Sequence, residues 1–151
     1  MKCLSISQPY ADFIIEGKKT IELRTWNTKF RGEFLIHAPQ KVNNRACKKF
    51  GINEKSLRTG IIIGKVEIYD VKFYNSAKEI RSDYDKHLAD KEYFHHKYGF
   101  LLRNPQTLRV PIPYKGKLGF FEVKLHTPIS DNEIRSELFD EEHRYQWIGK
   151  H

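Results

Sequence analysis

The sequence predicts one domain of mainly β structure, with short strands in a closed or nearly closed barrel and helices at its edges. Three observations predict it. Residues 20–26 alternate strictly between apolar and polar side chains, the period of a strand. Residues 60–71 form a long Ile/Val-rich run, the pattern of a strand at the centre of a sheet. Aromatic residues make up 13% of the chain, with 10 Phe and 8 Tyr, which suits a β-rich core packed with rings. A length of 151 residues with 39% apolar content fits a single core. Residues 1–151 are therefore read as one domain, with 126–151 as a C-terminal helical extension.

The elements follow in order. Residues 2–6 read as a first strand. Ser7 is placed to cap a helix that Gln8 and Pro9 open, Tyr10, Phe13 and Ile14 form its apolar stripe, and Gly17 stops it. Residues 20–26 are the second strand and 33–38 the third, ended by Pro39. Residues 44–50 predict a short basic helix with Gly51 as its stop. After the 60–71 strand, the charged stretch 76–98 predicts one or two surface helices inserted between strands. Residues 99–103 are a further strand, and Pro105, Pro111 and Pro113 stiffen the loop after it. The last strand is 117–125. Residues 130–145 predict a helix capped by Ser130 with Glu133 three residues on. Its stripe of Ile134, Leu138 and Phe139 is expected to pack on the barrel.

Charge is uneven along the chain. The formal net charge is +8; residues 1–125 hold 24 of the 27 Lys and Arg and 13 of the 19 Asp and Glu. A basic body attracts polyanions, nucleic acid foremost, although basic surface also serves plain solubility. No apolar run approaches the roughly 20 residues of a membrane span, and the N-terminus lacks the apolar stretch of a signal peptide. Cys3 and Cys47 read as free thiols of a cytoplasmic protein.

Chemistry concentrates between Gly17 and Trp26. If 20–26 is a strand, Ile21 and Leu23 point one way and Thr20, Glu22, Arg24 and Trp26 the other, with Lys18 and Lys19 at the mouth. A carboxylate, a guanidinium and an indole in a row can hold an anion and stack a flat ring. Arg24 offers a bidentate fork for phosphate, or an ion pair with Glu22 on the same face. Glu22 can orient Arg24, or accept from the exocyclic amine of a base. Lys19 is a phosphate contact, a desolvated base or a solvated turn lysine. Trp26 stacks on a base or belongs to the core. Lys29 and Arg31 sit in a basic turn beside it, and Lys115 and Lys117 flank Gly116 in a second basic loop. His37 reads as a structural histidine, and His95 and His96 diverge if helical, so no metal and no cofactor are expected. Neither a phosphate-binding Gly-rich loop nor a serine or cysteine triad spacing is present.

Three ordered segments carry a family resemblance: residues 4–11, residues 17–26 and residues 32–38. Gly17, Lys19, Glu22 and Arg24 meet the spacing Gly-x-Lys-x-x-Glu-x-Arg in full. Together they resemble the ASCH domain, over roughly residues 2–125. The resemblance implies a β-barrel similar to the RNA-binding PUA domains, with a cleft where the first helix and second strand meet. It also implies binding to RNA or another single-stranded nucleic acid at the signature residues Lys19, Glu22 and Arg24, and with the residue-level reading above the candidate contacts are Lys18, Lys19, Thr20, Glu22, Arg24, Trp26, Lys29, Arg31, Lys115 and Lys117. Some members of the family are hydrolases of acylated cytidine nucleosides and others ribonucleases. In that alternative the same cleft is catalytic, with Lys19 as base or electrostatic stabiliser and Glu22 as acid/base. Glu22 stands where the amidohydrolase branch has Thr.

Overall fold

The computed structural model describes residues 1–124. Its frame is one six-stranded sheet: β1 (Lys2–Ser5), β2 (Ile21–Arg24), β3 (Gly32–Ala38), β4 (Ile61–Phe73), β5 (Tyr98–Pro113) and β6 (Phe121–Glu122). The order across the sheet is β2-β5-β4-β3-β1-β6. β1 and β3 run parallel and the other pairs antiparallel. The Ile/Val-rich β4 lies between β3 and β5, as its composition predicts. Both of its neighbours are paired along most of their length.

The sheet curls without closing. No backbone ladder joins β2 to β1 among the described residues. Instead the Arg24 side chain on β2 donates from Nη2 to the Ser5 carbonyl on β1, at 2.8 Å. The expected barrel is thus an open sheet bridged at one point by a guanidinium.

The helix α1 (Tyr10–Ile15) fills the concave side. Tyr10, Ala11, Phe13 and Ile14 are buried there with Phe34, Ile36, Ile63, Ile68 and Phe100. Burying each large side chain contributes roughly 1.5–3 kcal/mol. The N-terminus of α1 is fixed differently from expectation. Ser7 contributes its carbonyl to the Tyr10 amide, while the capping side chain is the fully buried Gln8, whose Oε1 accepts from the Asp12 amide at 2.9 Å. The helix α2 (Asn44–Phe50) matches the sequence reading, with Gly51 closing it in the left-handed region.

The charged insertion between β4 and β5 forms α3 (Ala77–Ser82), α4 (Tyr84–His87) and a 3-10 turn at Lys91–Tyr93. It covers the outer face of β2. Ile21 and Leu23 are buried against Tyr74, Ile80 and Ala89. Strand β5 runs much further than the expected 99–103, and includes the three prolines. Its pairing with β4 shifts register near Ile62, Lys65 and Ile68, so Pro105 and Pro111 fall in the irregular stretches, where a missing amide costs no ladder bond. The last strand is shorter than expected, only Phe121–Glu122. The expected helix 130–145 lies outside the described residues.

Candidate nucleotide-binding cleft

The site begins with a turn. Gly17, at φ +79°, sends the chain back so that the amides of Lys18 and Lys19 both donate to the Phe13 carbonyl. Lys18 then points outward, over the Phe13 ring and 3.4 Å from Glu16. Lys19 points inward. Of the two lysines expected at the mouth, Lys19 lines the cleft and Lys18 does not, because consecutive side chains leave the turn on opposite sides.

Lys19 is 3% exposed. Its ammonium donates to the carbonyls of Ile21 (2.8 Å) and His87, lies 3.4 Å from Glu22 Oε1 and sits over the Tyr10 ring. Three acceptors thus meet its three N–H groups. Because one of them belongs to α4, Lys19 ties the insertion to the cleft. Burial is the chief influence on this group and pushes the ammonium pKa down, against the pull of Glu22.

Glu22 continues the chain of charges. Its Oε2 accepts from Arg24 Nε at 2.9 Å and lies 2.8 Å from Nη2. Burial works to raise the Glu22 carboxyl, but Arg24 and Lys19 together outweigh it and hold it below its ordinary range. The carboxylate is therefore ionised between two cations, leaving the triad with one net positive charge. Arg24 spends Nε and Nη2 on Glu22 and on the Ser5 carbonyl. Its Nη1 has no partner among the described residues.

These groups border a cavity of about 240 Å³. Tyr10, Tyr93 and His96 put rings on its wall, and Ser5, Ser7 and Asn43 add polar atoms. The Asn43 amide donates to the Tyr93 hydroxyl, fixing that ring. Burial chiefly lowers the His96 pKa, keeping the ring neutral near pH 7.

Of the sequence-predicted residues, the structure brings Lys19, Glu22 and Arg24 into this cavity wall and leaves the others outside it. Thr20 is exposed. Trp26 packs edge-to-face on Phe100 and Phe120, at 5.3 and 5.7 Å, beside the main core. Its extra turn beyond the end of β2 at Arg24 moves it away from the cavity. Lys29 is exposed, and Arg31 donates to the carbonyls of Thr28 and Phe30 within its own turn. Lys115 and Lys117 border a second cavity of about 720 Å³. His37 bridges Ser5 Oγ and the Tyr114 carbonyl, a structural pairing. His95 and His96 lie in a turn rather than a helix, with their rings in edge-to-face contact. Among the described residues no three His, Cys, Asp or Glu side chains cluster as a metal would require, and no helix is long and apolar enough to cross a membrane.

Sequence reasoning missed the aromatic wall. Tyr93 and His96 arrive on the insertion, in a stretch whose charge marks it as surface and whose spacing gives no sign that its far end folds over β2.

Comparison with known proteins agrees with this architecture. The chain is 28% identical to activating signal cointegrator 1 of Homo sapiens and of Mus musculus over 138 residues, covering 82% of this chain. It spans about a quarter of the length of those relatives, 23%. The crystal structure of the ASCH protein of Zymomonas mobilis superposes with a TM-score of 0.59 at 18% identity, over 82% of this chain and 87% of that one. A tyrosine-to-phenylalanine variant of that protein gives 0.58 at 17% identity, over 82% and 89%. The model of the ASCH domain family matches residues 4–109, which include the Gly17-Lys19-Glu22-Arg24 spacing and the strands that hold it, and the chain belongs to that family.

Proposed function

We propose that this domain binds single-stranded nucleic acid, RNA foremost, and seats one nucleotide in the cleft of Lys19, Glu22 and Arg24. The observation that carries this reading is Arg24 Nη1. Arg24 lines the cavity and this nitrogen has no partner among the described residues, while Glu22 and the Ser5 carbonyl hold the rest of the guanidinium. A planar, preorganised donor pair suits a phosphate or the acceptor edge of a base. The single net positive charge of the triad favours an anion, and Tyr93 and His96 offer rings for stacking. The basic body supplies the long-range attraction.

The test is fluorescence anisotropy of a labelled single-stranded RNA across a salt series. Arg24→Gln keeps a polar side chain and is expected to lose about tenfold or more in affinity, the worth of charge-assisted hydrogen bonds. Equal affinity of the two folded proteins, checked by circular dichroism, overturns the reading.

A second reading, hydrolysis of an acylated nucleoside or of RNA, draws on the buried Lys19 ammonium, whose pKa burial lowers beside a carboxylate. Its three N–H groups are already engaged, so base chemistry there requires the contacts to Ile21 and His87 to open. Turnover of N4-acetylcytidine or RNA that Lys19→Met abolishes would support it. Absence of turnover on both removes it.

A further inference from the structure

The second cavity lies against the first, with Ser5 in the wall of both. The Ser5 carbonyl faces Arg24, and its hydroxyl faces His37 on the neighbouring strand, its register partner. His37 is 2% exposed, with Nε2 2.7 Å from the Tyr114 carbonyl and Nδ1 2.9 Å from Ser5 Oγ. A carbonyl only accepts, so Nε2 donates to Tyr114, while Nδ1 shares a hydrogen bond with the Ser5 hydroxyl. This relay anchors the chain at Tyr114 to the end of the sheet. Gly116 follows at a spot where a Cβ would lie 2.5 Å from Ser5 Oγ and 2.7 Å from His37 Cε1, so only glycine lets the loop lie this close. The loop is thus pinned at Tyr114 and Gly116, with Lys115 and Lys117 on either side. Both lysines are exposed, and among the described residues neither has an ion-pair or hydrogen-bond partner. The Tyr114 ring and the fully exposed Leu118 add apolar surface to the same cavity.

A rigid loop with two uncommitted cations and an apolar rim, one residue away from Arg24, has the makings of a neighbouring nucleotide site. We propose that the two cavities are consecutive subsites. The ligand is then a phosphodiester-linked chain of at least two nucleotides rather than a free nucleoside, and Lys115 and Lys117 hold the phosphate of the second nucleotide. This inference rests on the reading of the first cleft as a nucleotide site.

Competition experiments test it on the full chain. A labelled short single-stranded RNA is displaced by nucleoside monophosphates, dinucleotides and tetranucleotides of mixed sequence. The dinucleotides are expected to compete about tenfold better than the monophosphates, the gain from one further phosphate and base. The double variant Lys115→Ala/Lys117→Ala is expected to erase that gain while leaving monophosphate competition within about twofold of wild type. The inference is overturned if the gain survives in the double variant, or if wild type makes no distinction between the two ligands. Arg24→Gln separates the two levels. If it loses monophosphate competition while the double variant keeps the gain, only the second subsite is wrong. If wild type binds no RNA, or Arg24→Gln keeps full monophosphate affinity, the cleft reading fails and the subsite falls with it.

Discussion

Lys19 and the pair Lys115 and Lys117 carry the same ammonium in opposite surroundings. Lys19 is buried, its N–H groups are met by two carbonyls and Glu22, and its charge is answered within a few ångströms. Lys115 and Lys117 stand in solvent on a loop that is itself firmly anchored. Desolvating a charge is costly unless it is paired, so the buried lysine is committed to holding the cleft together. A solvated lysine has no such commitment. It acts over a Debye length on any polyanion and is screened by salt. The comparison separates residues that shape a site from residues that attract a ligand to it, although sequence alone gives both the same name.

The sharpest way to break this contrast is Glu22→Ala. It leaves Lys19 buried without its carboxylate and frees Arg24, and is expected to cost roughly 3–5 kcal/mol, read by urea denaturation. A loss below about 1 kcal/mol would mean that water reaches Lys19 in solution. Trp26→Ala follows, at roughly 3 kcal/mol, since the indole packs edge-to-face on both Phe100 and Phe120. An RNA affinity that falls in the folded variant at low temperature would instead place the indole on the ligand.

Acid titration sharpens the same point. The folded-state pKa of Glu22 lies below its unfolded value near 4.5. Below that value the unfolded chain binds the proton first, so stability is fully present above it and drains away as pH falls through the folded pKa. The melting temperature of wild type is therefore expected to drop more steeply between about pH 5 and pH 3 than that of Glu22→Gln. Parallel curves would show that other carboxylates dominate acid unfolding.

Smaller effects come from the loop. Ser5→Ala removes one hydrogen bond to His37 and is expected to cost about 1 kcal/mol in thermal unfolding, through looser anchoring of Tyr114. Lys115→Ala/Lys117→Ala is expected to leave the melting temperature unchanged. Its mark falls on binding: the slope of log affinity against log salt should become shallower by about 0.7, from one phosphate no longer neutralised on a single strand. An unchanged slope would show that these lysines never meet phosphate.

How much of this was legible beforehand differs by element. The helix Asn44–Phe50 with its Gly51 stop was readable because capping and termination are local. The central place of the Ile/Val-rich strand was readable because burial on both faces demands such a composition. The full length of β5 was not, since its prolines looked like loop residues until the irregular register gave Pro105 and Pro111 unpaired positions. In the cleft, Glu22 and Arg24 were legible from the strand period and the family spacing. For Trp26 the sequence left stacking and core packing open, and the end of the strand at Arg24 puts its indole on Phe100 and Phe120.

The sequence by itself determined the helix Asn44–Phe50, the central Ile/Val-rich strand, the turn at Gly17, the basic body and the single-face array of Glu22 and Arg24. Each follows from backbone preference or from side-chain period over a few residues. Only the tertiary structure decided that Lys19 turns inward to carbonyls on β2 and α4, that the insertion brings Tyr93 and His96 to the cleft, and that Ser5 separates two cavities. Those facts depend on segments tens of residues apart meeting across a curled sheet. No local pattern encodes such a meeting, because it is fixed by packing and by the cost of leaving buried charges unpaired.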